Sequence, residues 1–198
     1  MFQVRGLSSR LAGPFDFEIA PGSCVSITGS SGSGKSLLLR MIADLDENDG
    51  EVVLGEVARS QCSAPSWRRQ VVYVAAEAGW WADRVAEHFA PSQLNAARTL
   101  AEGLGLKAEL FEGLVSRLST GEKQRLALIR ALMLEPSVLL LDEPTSSLDR
   151  DSILRTEAVL RARLEAGLIL VLVTHDPAQA QRLGNRHYEM RQGRLALL

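Results

Sequence analysis

A glycine-rich octamer early in the chain has the composition and spacing of a loop that wraps a polyphosphate. It reads Gly29-Ser30-Ser31-Gly32-Ser33-Gly34-Lys35-Ser36. The three glycines lack the Cβ atoms that would block close approach, so successive backbone N–H groups can turn inward and form a concave anion site. Lys35 adds a point charge for the terminal phosphates, and the Ser36 hydroxyl is placed to bind Mg²⁺. The octamer therefore predicts a site for a polyphosphate with its magnesium ion.

The segments on either side fit such a loop. Residues 24–28 have the pattern of a strand that enters it, and residues 37–42 that of the helix that follows, beginning at Leu37. The positive N-terminal end of this helix would face the phosphates. A Gly/Ser surface loop that matches by chance is the alternative, and the flanking strand and helix strongly disfavour it.

Two adjacent carboxylates follow an apolar stretch in the second half of the chain. Residues 138–141 read Val-Leu-Leu-Leu, the pattern of a buried strand, and Asp142 and Glu143 come directly after them. Asp142 is placed to hold Mg²⁺ through its water shell, and Glu143 to polarise the water that attacks the γ-phosphate. The plainer alternative is a strand that simply exits into a polar loop. The phosphate loop upstream makes this the weaker interpretation.

A second anion site is predicted near residue 120. Ser119 and Glu122 stand three apart ahead of an amphipathic helix predicted over residues 126–134, which is the spacing of a capping box. A helix N-terminus that carries Ser119 and Gly121 is also an anion site. Because the chain has its own phosphate loop, a second anion site makes sense if it serves a nucleotide held by another subunit.

Short apolar strands alternate with helices along the chain, which predicts a mainly parallel α/β sheet covered on both faces. Residues 151–165 predict one of these helices. Strands are predicted at residues 51–54, 71–74, 138–141 and 168–173, with a hairpin at each end of the chain, over residues 2–19 and 187–197. The first hairpin is expected at the edge of the sheet.

The length of 198 residues is enough for one buried core and a small lobe, so a single domain over residues 1–198 is predicted. Residues 77–117, rich in Ala, Leu and Glu, indicate a helical lobe inserted between two parts of the sheet. The expected division is a core of residues 1–76 and 136–198 and a helical subdomain of residues 77–135.

Composition limits the possible partners and location. With 22 basic and 24 acidic residues, the net charge of −2 gives no general electrostatic reason to expect nucleic acid or acidic lipid. Cys24 and Cys62 have no metal-ligand spacing and read as small hydrophobes in a reducing cytoplasm. The first residues carry no secretion signal, and no apolar run is long enough to cross a bilayer. A cytoplasmic protein is predicted, with any membrane role supplied by a partner.

Five motifs in order resemble those of the ATP-binding subunits of ATP-binding-cassette (ABC) transporters. They are the octamer and residues 118–124, 141–143, 147–149 and 174–176. The resemblance covers nearly the whole chain and implies the P-loop NTPase fold of that family, with an antiparallel N-terminal β edge, the inserted subdomain, and ATP with Mg²⁺ as ligands. It also implies a head-to-tail homodimer that holds two ATP molecules between the phosphate loop of one subunit and Ser119, Gly121 and Glu122 of the other.

The resemblance further implies individual roles. Glu143 resembles the catalytic base, Asp149 lies in the dimer-communication loop, and His175 contacts the γ-phosphate. A lone histidine at a strand end is more often structural, and the resemblance reverses that expectation. The implied partner is an integral membrane transporter subunit, which would place the protein at the inner face of the cell membrane. Residues 121–130 and the short chain are most similar to compact bacterial subunits such as the FetA iron-export ATPase.

The sequence departs from the family pattern at two places. A strand at residues 73–74 usually runs into Pro-Gln in the family, where the glutamine touches Mg²⁺ and the attacking water, whereas this chain has Ala75 and Ala76, followed by Glu77. Glu77 could reach in through a shifted backbone, but its carboxylate would be repelled by the γ-phosphate unless it bound the metal. The family also commonly stacks an aromatic side chain on adenine, and residues 9–13 contain none. Leu11 or the stem of Arg10 would then cover the ring, with weaker stacking.

Other surface features leave alternatives open. Trp80 and Trp81 fall where a short cytoplasmic helix of the membrane partner docks in the family, and packing in the core is an equally good interpretation. Solvated surface is expected for four arginines, Arg68, Arg69, Arg182 and Arg186.

Three functions compete at this point. The leading hypothesis is an ATPase that drives a membrane partner through closure of its dimer. A nucleotide-responsive interaction module with little turnover is the alternative, favoured by the two departures. An ATPase head for DNA repair is disfavoured, because about eighty residues between Ser36 and Leu118 leave no room for a coiled-coil arm.

Overall fold

The computed structural model describes all of residues 1–198, which form ten strands and six α-helices. The strands are β1 (Phe2–Ser8), β2 (Phe15–Ile19), β3 (Cys24–Thr28), β4 (Asp49–Leu54), β5 (Val57–Ala58), β6 (Val71–Val74), β7 (Val138–Asp142), β8 (Ile169–Val173), β9 (Arg186–Arg191) and β10 (Arg194–Leu197). The helices are α1 (Lys35–Ile42), α2 (Ala64–Gln70), α3 (Leu94–Gly103), α4 (Thr120–Leu132), α5 (Arg150–Glu165) and α6 (Pro177–Leu183).

The main sheet has six strands in the order β10-β9-β3-β8-β7-β6. All neighbours are parallel except β10, which forms the predicted C-terminal hairpin with β9. Every residue of β7 and β8 is buried, as expected for strands covered on both faces. The predicted α/β fold with a mainly parallel central sheet is therefore confirmed, and the carboxyl ends of β3, β7 and β8 meet at one edge.

The N-terminal hairpin lies in a second, antiparallel sheet of order β2-β1-β4-β5. The expectation that it would flank the main sheet is wrong, because β1 pairs with β4, with Phe2 opposite Leu54 and Val4 opposite Val52. The physical reason is the apolar face of β1, where Phe2, Val4 and Leu7 are buried. That face shares one apolar cluster of 24 buried residues with α1 and the main sheet.

The inserted lobe is less regular than predicted. Within residues 77–117 only α3 is an α-helix, and the other turns are short 3-10 segments, Val85–His88, Pro91–Gln93, Ala108–Glu112 and Val115–Arg117. Their side chains and those of α4 form a separate apolar cluster of 11 buried residues. The helix expected over residues 126–134 begins six residues earlier, at Thr120, because the capping box at Ser119 fixes its start.

Helix α2 was not predicted from the sequence. The Ser63 hydroxyl accepts a hydrogen bond from the Ser66 N–H at its start, and proline occupies its first turn. Trp67 on this helix is 2 % exposed, and its Nε1 donates to the Ile42 carbonyl oxygen at 2.9 Å. None of the six helices combines the length and apolar character needed to cross a membrane.

We expect Trp67→Phe to lower the free energy of unfolding by about 1–3 kcal/mol, because it leaves a buried carbonyl without its donor and removes ring volume. Urea denaturation would measure the change. Trp81→Phe is the matched control, since Trp81 is 69 % exposed, and its effect should stay within about 0.5 kcal/mol. Equal losses in the two variants would show that Trp67 is not the anchor of α2.

Candidate nucleotide site

A cavity of about 680 Å³ opens at the edge where the carboxyl ends of the parallel strands meet. This is the edge of an α/β sheet where ligands generally bind. Ten of the predicted site residues line it: Ser31, Gly32, Ser33, Gly34, Lys35, Ser36, Leu37, Asp142, Glu143 and His175. The structure thus brings together three motifs that are far apart in the sequence.

The phosphate loop joins β3 to α1 with the backbone geometry that its glycines allow. Gly29, Gly32 and Gly34 have φ values of 143°, 74° and 108°, which side-chain-bearing residues rarely adopt. A Cβ at Gly29 would also collide with the Met190 carbonyl oxygen of β9. Helix α1 begins directly after the last glycine, so its N-terminal N–H groups face the cavity.

Lys35 is only 6 % exposed and lies against its own loop. Its Nζ donates to the carbonyl oxygens of Gly29 and Ser30, at 2.8 and 2.9 Å. Gly29 and Ser30 do not line the cavity themselves, but their carbonyl oxygens hold the ammonium group of Lys35, which does. The loop presents a fixed positive charge beside its ring of backbone N–H groups.

Asp142 is 4 % exposed at the end of β7, and its Oδ2 accepts a hydrogen bond from the Tyr73 hydroxyl at 3.0 Å. Burial, together with the neighbouring carboxylate, raises the pKa of Tyr73 and keeps it a donor. The Ser36 hydroxyl lines the same cavity. The chain has no cluster of three metal-ligating side chains, so this donor set fits Mg²⁺ only when phosphate oxygens and water complete the shell.

Glu143 and His175 meet at the cavity wall. Glu143 adopts a left-handed φ of 50°, and its Oε2 accepts the backbone N–H of His175 at 3.1 Å. The ring Nε2 of His175 lies 3.0 Å from Oε1, without the alignment of a hydrogen bond. Burial raises the pKa of Glu143, against the opposing effects of the His175 N–H and the charges of His175 and Lys35. The carboxylate is thus more basic than an exposed one and suited to accept a proton.

Besides Gly29 and Ser30, four predicted residues do not line this cavity: Ser119, Gly121, Glu122 and Asp149. Ser119 and Glu122 form the predicted capping box, with Glu122 Oε2 accepting the Ser119 N–H at 2.8 Å. Asp149 caps α5 by accepting the Ser152 N–H at 2.9 Å. A Cβ at Gly121 would lie 3.0 Å from Leu148, so glycine lets α4 press against the loop before Asp149. These residues share a second surface of the chain.

The sequence did not indicate that Gln192 and Gly193 line the cavity. They form the turn between β9 and β10, and the Gly193 N–H donates to the Ser33 carbonyl oxygen at 3.0 Å. The turn was recognisable from its Gln-Gly pair, but nothing local indicated its contact with the phosphate loop. Leu11 also lines the cavity and is 81 % exposed. That it covers adenine stays a prediction.

The departure at residues 75–77 leaves a gap in the polar lining. Ala76 lines the cavity with a methyl group only, whereas Glu77 is exposed and does not line it. Glu77 therefore does not take the place of the glutamine in this conformation.

A parallel sheet, a glycine-rich phosphate loop after β3 and a carboxylate pair at the end of β7, which is separated from β3 by β8, define a P-loop nucleoside triphosphatase. The sequence profile described as ABC transporter matches residues 13–146, which is more than half of the chain. This chain therefore belongs to the ABC transporter family and is an ATP-binding, ATP-hydrolysing subunit of that family.

Individual proteins agree with this assignment. An aliphatic sulfonates import ATP-binding protein, SsuB 2 of Xanthomonas axonopodis pv. citri, is 36 % identical over 98 % of this chain and 69 % of its own. An Fe(3+) ions import ATP-binding protein, FbpC 2 of Rhodococcus jostii, is 36 % identical over 91 % of this chain and 55 % of its own. The fold alone is similar to that in the dimeric structure of the ATP-binding cassette MJ0796 bound to ADP and Pi, with a TM-score of 0.84 at 23 % identity over 100 % of this chain and 99 % of that one. The narrower resemblance to FetA-like exporters stays a prediction.

We expect Lys35→Ala to weaken ATP binding by about 10–100-fold, the worth of a charge-assisted hydrogen bond to phosphate. Isothermal titration calorimetry with ATP measures the dissociation constant. Lys107→Ala is the control, because Lys107 is exposed and does not line the cavity. An unchanged dissociation constant for Lys35→Ala would contradict the assignment of this loop to the phosphates.

Proposed function

We propose that two copies of this chain close head to tail on two ATP molecules and that closing and reopening drive a membrane-embedded transporter subunit. The observation that supports this is the position of the α4 N-terminus, whose Ser119 and Gly121 lie outside the cavity of their own chain. The first N–H groups of a helix have no intrahelical partner and favour an anion. A second copy supplies that anion as its bound ATP.

Within this proposal the residues of the cavity have separate tasks. The loop N–H groups, Leu37 at the start of α1 and Lys35 bind the terminal phosphates. Ser36 and Asp142 hold Mg²⁺, which supplies charge neutralisation at the phosphates. Glu143 accepts a proton from the attacking water, and His175, whose side chain is 56 % exposed, contacts the γ-phosphate from the end of β8.

Three further parts of the proposal concern organisation. The division into a core of residues 1–76 and 136–198 and a subdomain of residues 77–135 is supported by the separate apolar cluster within the subdomain. A cytoplasmic protein held at the inner face of the membrane by its partner follows from the family. Nucleic acid is not an expected partner. The relatives named as importers of sulfonates and of iron are equally similar, so identity favours neither substrate.

The membrane subunit is proposed to dock on a groove between β6 and α4. The groove has a volume of about 240 Å³ and is mostly apolar. Beside it, Arg130 of α4 lies over two indole rings, 5.0 Å from the centroid of Trp80 and 4.6 Å from that of Trp81. Trp81 is 69 % exposed and faces solvent.

Two buried donors at the groove have no acceptor in this chain. Arg130 Nη2 donates to the Gly79 carbonyl oxygen at 3.1 Å, but Arg130 Nη1 and Trp80 Nε1 have no partner. Burial lowers the pKa of Arg130, as expected for a cation without a counter-ion. An unpaired buried donor is costly. Both donors are closed to solvent, so a docking segment pairs with them only when the side chains around Arg130 rearrange.

We expect Trp81→Ala to weaken retention of the membrane subunit roughly 10-fold, since exposed aromatic anchors dominate such interfaces. The native protein first captures its membrane subunit from solubilised membranes, and pull-down titrations then compare variants against that subunit. Leu154→Ala is the control, because Leu154 is exposed on α5, away from the groove. Equal retention by the Trp81 and Leu154 variants would remove the groove from the interface.

The proposed role of Glu143 has a direct test. Glu143→Gln should leave ATP binding intact and slow hydrolysis by roughly 10²–10⁴-fold, the worth of a general base, because the amide cannot accept the proton. Phosphate release measures turnover, and light scattering measures the dimer that accumulates with ATP. Glu77→Gln is the matched control and should leave turnover unchanged.

The outcomes separate the competing functions. Undiminished turnover by Glu143→Gln, or loss of turnover by Glu77→Gln, would overturn the assignment of the base. A variant that stays monomeric with ATP would overturn the dimer. Negligible turnover of the unmodified protein, with and without its membrane subunit, would instead favour a nucleotide-responsive interaction module, which the missing glutamine supports.

A further inference from the structure

A fully buried carboxylate lies behind the nucleotide site. Glu157 of α5 is 0 % exposed, and its two oxygens accept a bidentate pair of hydrogen bonds from Arg182 of α6, at 2.7 and 2.8 Å. A buried charge is tolerated only when it is paired and hydrogen-bonded. Arg182 is exposed, as expected from the sequence, but its guanidinium also pairs with this buried carboxylate, which the sequence did not indicate. This ion pair fixes α6 against α5.

The ion pair continues into a buried hydrogen-bonded cluster. Gln179 of α6 is 0 % exposed, and its Nε2 donates to the Thr145 hydroxyl oxygen at 2.9 Å and reaches Glu157 Oε1 at 3.5 Å. Thr145 is itself 7 % exposed. We call these four residues, Glu157, Arg182, Gln179 and Thr145, the Glu157 network.

The network ends at the two loops that carry Glu143 and His175. Thr145 follows Glu143 by two residues. On the other side, Asp176 follows His175, caps α6 by accepting the Ala178 N–H at 2.9 Å, and has its Oδ2 3.6 Å from Arg182 Nη2. Both loops are thus connected to the same buried carboxylate.

We propose that the Glu157 network positions Glu143 against His175 and so sets the geometry of hydrolysis. Glu143 and His175 contact each other directly, so a shift of either loop changes that contact. Glu157 does not line the cavity and acts only through the two loops. The inference rests on the proposed role of Glu143 as the base.

The expected signature is a lower kcat for ATP with an almost unchanged KM. Glu157→Gln keeps the size of the side chain but removes the charge that holds Arg182, so we expect roughly 10-fold lower kcat, in line with the cost of a small misplacement. Thr145→Val removes only the hydroxyl at the loop end of the network and should lower kcat in the same direction. If Glu157→Gln folds poorly, Thr145→Val tests the inference in its place.

Arg161→Gln is the matched control. Arg161 also lies near Glu157, with Nη2 3.5 Å from Oε2, but its side chain is 47 % exposed and it connects to neither loop. Because the Arg161 side chain is half exposed and solvent screens its charge, the contact contributes little, and kcat of Arg161→Gln should stay within about 2-fold of the unmodified protein. A 10-fold loss of kcat in this control would show that the effect comes from the charge around Glu157, and it would overturn the positioning role.

A double-mutant cycle with Glu143→Gln distinguishes positioning from loss of stability. If Glu157 acts through Glu143, Glu157→Gln should change the residual turnover of the Glu143→Gln variant by less than about 2-fold. An equal proportional loss in both backgrounds, or a loss of kcat that follows the folded fraction measured by circular dichroism, would overturn the inference. If Glu143→Gln lowers kcat but Glu157→Gln and Thr145→Val do not, the inference is overturned and the proposed function stays intact. If Glu143→Gln leaves kcat unchanged, the proposed function itself is overturned.

Discussion

The parallel pairing of β3, β7 and β8 is the constraint on which the rest of the structure depends. It brings the phosphate loop, the carboxylate pair and His175 to one edge of the sheet, although they are far apart in the chain. The register between β7 and β8 sets Asp142 opposite Val173, and the Glu143 N–H then donates to the Val173 carbonyl oxygen at 2.9 Å. A slip of one residue would exchange the faces of the strand. Asp142 would then leave the cavity.

Buried charge organises the next level. Lys35, Asp142 and Glu157 are each less than 7 % exposed, and each has a specific partner. Lys35 is held by its own loop, Asp142 by the Tyr73 hydroxyl and Glu157 by Arg182. Because a buried charge without a partner is strongly disfavoured, each contact fixes a segment of backbone. The same contacts that make the charges tolerable also hold the reacting groups in place.

The sequence could predict the site because its motifs are local and because strands of one parallel sheet present their ends together. Gly29 directly follows an apolar strand, Asp142 ends another, and His175 comes two residues after a third. The features that the sequence could not predict depend on contacts between residues that are far apart in the chain. The apolar face of β1 would be buried in either sheet, so its residues alone do not indicate that β1 pairs with β4. The Arg182 ion pair needs a carboxylate on another helix, and the contact of Gly193 with Ser33 joins turns at opposite ends of the chain.

Helix α4 connects the parts of the proposed mechanism. Its N-terminus carries Ser119, and one turn later Gln124 donates to Ser146 at 3.0 Å and to the Glu143 carbonyl oxygen at 3.4 Å. Further along, Arg130 lies at the groove proposed for the membrane subunit. A short, well-packed helix moves as one body, so an anion that engages its N-terminus also acts on the loop of Glu143 and on the groove. In the proposed dimer that anion belongs to the other subunit, and ATP bound by one copy thereby orders the hydrolytic groups and the docking surface of its neighbour.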